Sequence, residues 1–328
     1  MPAAAARFVL RLPLLALIVL VVVALRAGEA AAPAKPIVRL KGPATWSNPV
    51  IAADFPDPSV VRDGERYWAT STSSAAAPGF PLMTSTDLVH WEAAGTIFQQ
   101  LPGWASDSFW APEIYLDSGG VRFYYSARKR GGRMCVAVAT APTIAGPYTD
   151  RGPLICQPAG SIDPTRTHDQ YGRLFLIWKE DGNAVRRPSR IWRQRLTPDG
   201  LRLVGRPVMM LRSRARWEAG VVEAPSIVVH GAWTYLFHSG NSYGMPTCGY
   251  AMGVARARSL KGPFIRYRRN PILHSERDWR CPGHASFVTD DDDTTFAMYH
   301  AYSSARPTAR LGMLSAVRWG ADGWPAIP

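Results

Sequence analysis

Lysine is scarce in this chain of 328 residues. Of 38 basic residues only five are lysines, at positions 35, 41, 129, 179 and 261. The formal charge of +13 would suit a nucleic-acid partner, but the arginines that supply it are scattered through alanine-rich sequence. The densest runs, Arg128-Lys129-Arg130 and Arg186-Arg187, are short and fall in predicted loops. The charge reads as solvated surface, and no nucleic-acid partner is expected. Cysteine is scarce too. Cys135, Cys156, Cys248 and Cys281 form no CxxC pair, and their spacing does not suit a zinc site. No stretch has the period of a long amphipathic helix, and none suggests a second domain.

One long apolar run is present, at residues 13–25, after Arg7 and Arg11. It is followed by small residues that include Ala30-Ala31-Ala32. Residues 1–32 therefore read as a signal peptide, and 33–46 as a linker rich in Pro, Ala and Lys. The run of 13 is short beside the roughly 20 residues of a membrane span. A secreted or periplasmic protein is expected, with no stable membrane insertion after cleavage; a retained membrane anchor is the alternative. Export permits disulfides. Four cysteines allow three complete pairings. The simplest joins neighbours, Cys135 with Cys156 and Cys248 with Cys281, and buried free thiols are the alternative.

What the chain has is aromatics and turns: 12 Trp, 12 Tyr, 11 Phe, 28 Gly and 28 Pro. That mixture suggests an all-β protein. A unit recurs. Asp57-Pro58-Ser59, Trp110-Ala111-Pro112-Glu113, Ser161-Ile162-Asp163-Pro164-Thr165, Glu223-Ala224-Pro225-Ser226 and His284-Ala285-Ser286 each lead into an apolar strand. Marker residues 59, 113, 165, 226 and 286 are 54, 52, 61 and 60 apart. An aromatic strand begins eight to ten residues after each marker, across turns such as Asp63-Gly64 and Gly119-Gly120. A second hairpin follows each first one; in the fifth unit it is read at 311–319 with the turn at Asp322-Gly323. Two hairpins make a four-stranded sheet. Five such units predict a five-bladed β-propeller of four-stranded antiparallel blades over 47–328.

In a propeller the first strand of each blade lines the central channel, so the heads of the five units converge at one mouth. Asp57, Asp163 and Glu223 are then expected to occupy one repeat position and face one another. Three carboxylates in one cavity repel, which favours a proton on at least one. A protonated acid opposite an ionised carboxylate is what glycosidic hydrolysis requires. The same groups could instead hold a hard cation such as calcium, or merely cap strand entries.

These motifs resemble family 43 of the glycoside hydrolases. The matching residues are Asp54-Phe55-Pro56-Asp57-Pro58-Ser59-Val60, Phe109-Trp110-Ala111-Pro112-Glu113, Ser161-Ile162-Asp163-Pro164, Val222-Glu223-Ala224-Pro225 and Pro282-Gly283-His284. The resemblance runs from about Asn48 to Trp324. It implies Asp57 as general base, Glu223 as general acid and Asp163 as the residue that tunes and orients Glu223. It also implies inversion at the anomeric carbon, with base and acid about 6.5–9.5 Å apart. Trp110, His284, Arg310 and Asn241 are the expected substrate contacts. No cofactor is required, although a structural calcium in the central channel would have His284 as its ligand.

Stretches such as Trp178-Lys179-Glu180-Asp181-Gly182-Asn183 and Trp217-Glu218-Ala219-Gly220-Val221-Val222-Glu223 resemble the exo-acting arabinofuranosidase branch. The expected activity is release of terminal α-L-arabinofuranosyl residues from arabinan or arabinose-containing plant polysaccharides, and the expected partner is an arabinose- or xylose-containing oligo- or polysaccharide. The alternatives are a β-xylosidase, an endo-arabinanase, or a carbohydrate-binding propeller without chemistry. Arg166 is expected to face solvent and Glu218 to be a loop residue.

Overall fold

The computed structural model describes Met1 and residues 42–328, apart from 44 and 76. The expected signal peptide and most of the expected linker lie outside the described residues. Among those described, no helix is long and apolar enough to cross a membrane.

Strand β1 (Ile51–Asp54) comes first among the described residues. Blade one follows as β2 (Ser59–Asp63), β3 (Arg66–Thr70), β4 (Pro81–Ser85) and β5 (Glu92–Thr96). Blade two is β6 (Ala105–Asp117), β7 (Gly120–Lys129), β8 (Met134–Ala141) and β9 (Thr149–Ile155). Blade three is β10 (Ser161–His168), β11 (Leu174–Glu180), β12 (Arg190–Leu196) and β13 (Leu203–Arg212). Blade four is β14 (Glu223–His230), β15 (Trp233–Gly240), β16 (Ala251–Ala257) and β17 (Ile265–Arg266). Blade five takes β18 (Trp279–Thr289), β19 (Thr295–Ser303) and β20 (Arg310–Ala316). Within each blade, strands pair antiparallel in chain order. The five-bladed propeller is the architecture that the repeat predicts.

Blade five departs from the expected hairpin. Its fourth strand is β1, paired antiparallel with β20, so the two ends of the propeller share one sheet. Residues 318–326 instead make a separate two-stranded ladder, β21 (Arg318–Trp319) with β22 (Pro325–Ala326). The edge of β20 is already occupied. The Asn48 carboxamide donates to the Leu314 carbonyl at 3.0 Å and accepts from its N–H at 2.9 Å, extending the ladder. At Gly312 an added Cβ would lie 2.9 Å from the Ile51 Cβ, so the glycine lets the closing strand approach. β1 thus covers the outer edge of β20 and gives blade five its fourth strand.

Aromatic side chains fill the wedges between blades. Phe80, Phe98, Phe109, Phe123 and Tyr125 form one buried cluster, largely through edge-on ring contacts such as Phe80 on Phe123 at 5.2 Å. Such pairs contribute about 0.5–1.5 kcal/mol each beyond area burial. Disulfides join Cys135 to Cys156 within blade two, and Cys248, before β16, to Cys281 on β18.

Two sequence expectations are corrected here. Arg166 does not face solvent. It is buried on β10, bidentate to Asp117 of β6 at 2.6 and 2.7 Å, with its guanidinium 4.5 Å from the Tyr115 ring centre. The strand alternation places an inward residue here, and the expectation of solvent rests on the charge, which Asp117 neutralises inside. Nor is Glu218 a loose loop residue. It is fully buried in a short 3-10 turn, Arg216–Glu218. Its carboxylate receives Arg266 at 2.7 Å and the N–H groups of Arg214 and Ala215 at 2.7 and 2.9 Å, with the His238 ring 3.2 Å away.

Candidate active site

The mouth of the channel is built from a bulge repeated in the inner strands. Pairing skips two residues between Trp110 and Glu113, Ile162 and Thr165, Glu223 and Ser226, and Gly283 and Ser286. The first skipped residue is left-handed each time: Ala111 (φ 45°), Asp163 (54°), Ala224 (49°) and His284 (53°). Asp57, just before β2, is the equivalent in blade one (φ 53°). Such a bulge bends the strand and re-aims its side chains. A non-glycine residue held there costs on the order of 1–3 kcal/mol, a strain that clusters at functional sites.

Each blade thus offers two residues to the mouth, the left-handed one and its predecessor. Asp57, Asp163 and His284 occupy the first position; Trp110, Ile162 and Glu223 occupy the second. All six line one cavity of ≈ 470 Å³. The expectation that the three carboxylates share one repeat position is therefore corrected. Glu223 stands one residue ahead of the phase of Asp57 and Asp163.

A second ring holds the bulges in place. In the inner strand pairs, markers Ser59, Glu113, Thr165, Ser226 and Ser286 face Thr70, Tyr124, Ile177, Phe237 and Met298. Two residues beyond these partners lie Thr72, Ser126, Lys179, Ser239 and His300. Four of the five accept the N–H of the next blade's left-handed residue. Ala111 donates to Thr72 at 2.8 Å, Asp163 to Ser126 at 3.0 Å, His284 to Ser239 at 2.9 Å and Asp57 to His300 Nδ1 at 3.0 Å. Blade three has Lys179, which has no acceptor. The Ala224 N–H donates instead to Asp163 Oδ2 at 2.9 Å.

The carboxylates sit in contrasting surroundings. Burial alone would push the Asp57 carboxyl up, but Arg310 Nη1 at 3.3 Å and His284 Nδ1 at 3.2 Å from Oδ1 hold it well below the usual range. Thr72 Oγ1 donates to its other oxygen at 2.7 Å. His300 is also near Oδ1, at 3.4 Å, but its Nδ1 accepts the Asp57 N–H, and burial and Arg310 push its pKa down, so it is a neutral acceptor rather than an ion-pair partner. Burial would push His284 down, yet Asp57 outweighs it and raises the ring to about 9. Asp163 goes the other way: burial, reinforced by Glu223 and opposed by His284, raises it to about 6. Glu223 accepts from Tyr250 Oη at 2.7 Å on Oε1 and from Lys179 Nζ at 2.6 Å on Oε2.

The remaining expected contacts also line the cavity. Trp110 is half-buried on β6. Arg310 reaches from β20 to Asp57, with its guanidinium 5.4 Å from the Tyr243 ring centre. Asn241 is left-handed (φ 73°), and its side-chain oxygen accepts the Ser242 N–H at 2.8 Å. Sequence reasoning missed Thr72, Lys179, Asp181, Asn183, Tyr243 and Tyr250, which line the same cavity. A signal for Thr72 and Lys179 exists: they lie 13 and 14 residues beyond their blade markers, as do Ser126, Ser239 and His300 in theirs. His284, the expected ligand of a channel calcium, directs its Nδ1 at Asp57. Among the described residues no group of three His, Cys, Asp or Glu is arranged to hold a metal ion.

Comparison with known proteins places this geometry. The sequence model described as "Glycosyl hydrolases family 43" matches residues 46–325. A xylosidase/arabinosidase of Butyrivibrio fibrisolvens is 30% identical over 299 residues, covering 86% of this chain and 56% of that protein. A non-reducing end α-L-arabinofuranosidase of Bacteroides ovatus is 25% identical over 304 residues, covering 86% and 53%. The crystal structure of a thermostable family-43 glycoside hydrolase superposes with a TM-score of 0.78 at 28% identity, covering 86% of this chain and 96% of that one. The chain spans about half the length of the curated relatives it matches first.

Proposed function

The chain belongs to glycosyl hydrolase family 43, and on that premise we propose that it is an inverting glycosidase with Asp57 as base and Glu223 as acid. The observation that carries this reading is the contrast between the carboxylates of one cavity. Asp57 is held ionised by Arg310 and His284, as a base must be. Asp163, raised to about 6, holds a proton on the acid side of the site only below that pH and is mostly ionised at about pH 7. In the proposed reaction Asp57 takes a proton from a water whose oxygen attacks the anomeric carbon. The glycosidic C–O bond breaks as Glu223 gives its proton to the leaving oxygen. Asp163 orients this step, since its Oδ2 holds the backbone N–H next to Glu223. Trp110 and Arg310 would bind the sugar.

For the substrate, we propose terminal α-L-arabinofuranosyl residues of a plant polysaccharide, acted on outside the cell. Support comes from the resemblance of the segments around Lys179 and Glu223 to the arabinofuranosidase branch. The Bacteroides relative carries that activity in its name, while the Butyrivibrio relative carries both names. A β-xyloside is the second reading for that reason. Hydrolysis of aryl α-L-arabinofuranoside beside aryl β-D-xyloside tests the choice, with Asp57→Ala as control. Preference for the arabinoside, abolished in the control, is expected. Preference for the xyloside would overturn the substrate and keep the mechanism. Equal activity in wild type and control would overturn the role of Asp57.

A further inference from the structure

Lys179 breaks the five-fold pattern of the propeller. Where every other blade carries a hydroxyl or imidazole that accepts the next blade's bulge N–H, blade three carries an ammonium that can only donate. The fold gains nothing from this exchange. The Ala224 N–H has to find Asp163 instead, and a lysine is taken fully out of water, 1% exposed. Burying a charge is unfavourable unless it is paired and hydrogen-bonded. Lys179 is paired twice, to Glu223 Oε2 at 2.6 Å and to Asp181 Oδ1 at 3.0 Å. Asp181 is itself fixed: its N–H donates to the Gly160 carbonyl at 3.0 Å, and a Cβ on Gly160 would approach to 3.3 Å of its own Cβ.

Both oxygens of Glu223 therefore accept from donors, Tyr250 on one side and Lys179 on the other. A carboxylate suits that arrangement. A protonated Oε2 suits it less, because the neutral hydroxyl oxygen accepts far more weakly and no longer offsets the buried ammonium's charge. Taking up a proton at Oε2 therefore loosens the ammonium from Glu223, and Asp181, already 3.0 Å away, offers the charged partner it shifts to.

We propose that Lys179 is a positioning residue for proton delivery, resting on Glu223 while that carboxylate is ionised and on Asp181 while Glu223 carries its proton. The inference rests on the reading of Glu223 as the acid. The proton balance closes over a turnover: the proton on Glu223 passes to the leaving oxygen, Asp57 releases to solvent the proton it took from water, Glu223 takes one proton back from solvent, and Lys179 keeps its own throughout. As the leaving group departs, Lys179 returns to the new carboxylate and stabilises it. The other titratable groups around the pair are Asp163 on β10, Tyr250 ahead of β16 and His284 on β18, all within its field.

Two variants move the alkaline limb of kcat/KM in opposite directions. Lys179→Ser restores the hydroxyl of the other blades and removes the charge; the limb is expected to rise by about one to three pH units. Turnover of substrates with poor leaving groups falls, while activated aryl glycosides are spared. Asp181→Asn leaves the ammonium with Glu223 alone, and the limb is expected to fall. If Lys179 only supported the fold, Lys179→Ser would change activity equally for good and poor leaving groups and leave the limb where it is. If Lys179→Ser does not fold, Asp181→Asn still decides. Glu223→Gln separates the two levels. If it spares poor leaving groups, the acid assignment fails and this inference with it. If it abolishes them but neither variant moves the limb, the role of Lys179 alone is overturned.

Discussion

His284 Nδ1 lies 3.2 Å from Asp57 Oδ1, and the two residues occupy the same bulge position in blades five and one. Ring closure makes those blades neighbours, so a pair 227 residues apart (284 − 57) meets as adjacent repeats. With Arg310, His284 keeps Asp57 ionised against its own burial.

Replacing His284 by Asn removes one of two cations beside the proposed base. The carboxyl of Asp57, now held low, rises. A base works above its pKa, so the acid limb of kcat/KM should move up by about one to three pH units. The shift should be the same for good and poor leaving groups. An unmoved acid limb would show that Arg310 suffices, or that Asp57 is not the base.

Glu223→Ala should reduce turnover strongly on substrates with poor leaving groups, by about 10²–10⁴-fold, and far less on activated aryl glycosides. Equal losses on both, in parallel steady-state assays, would argue against Glu223 as the acid.

Glu218 predicts an acid-sensitive strut. Burial would raise its pKa, but the His238 and Arg266 contacts and the backbone N–H groups lower it from 4.5 to about 2. A depressed carboxyl stabilises the fold above its unfolded value near 4.5, and that contribution is lost as pH falls toward about 2. The shift corresponds to on the order of 3 kcal/mol. Glu218→Gln should unfold at lower denaturant at pH 7, and its deficit should shrink between pH 4.5 and 2. A constant deficit across that window would rule out the electrostatic account.

Asp117→Asn would leave the Arg166 guanidinium, its side chain 5% exposed, without its carboxylate. Breaking a buried pair from one side costs about 3–5 kcal/mol. Equilibrium unfolding should report a loss near the lower end, since Asp117 is 28% exposed. The pH profile of folded protein should not change, because Arg166 lies outside the mouth. A moved limb would mean that its charge reaches the carboxylates after all.

The sequence by itself determined the blade count. Turn chemistry and an aromatic strand recur at intervals of 52 to 61 residues, and local propensity with a period suffices to specify a radial array. It also singled out Asp57, Asp163, Glu223 and His284, because the bulge that aims them is a short local motif written into every unit. Other features depend on which residues meet across the ring, and a linear pattern does not carry that. β1 closes blade five because the ends of the chain come together in space, against a glycine that admits the strand. Arg166 is buried because Asp117, 49 residues earlier, waits beside it. Lys179 looks like an ordinary strand lysine until the register shows it in the position that Ser126 and Ser239 hold in their blades. Only the tertiary structure decides that its ammonium rests on Glu223 rather than in water, because burial removes the solvent that would otherwise separate the two charges.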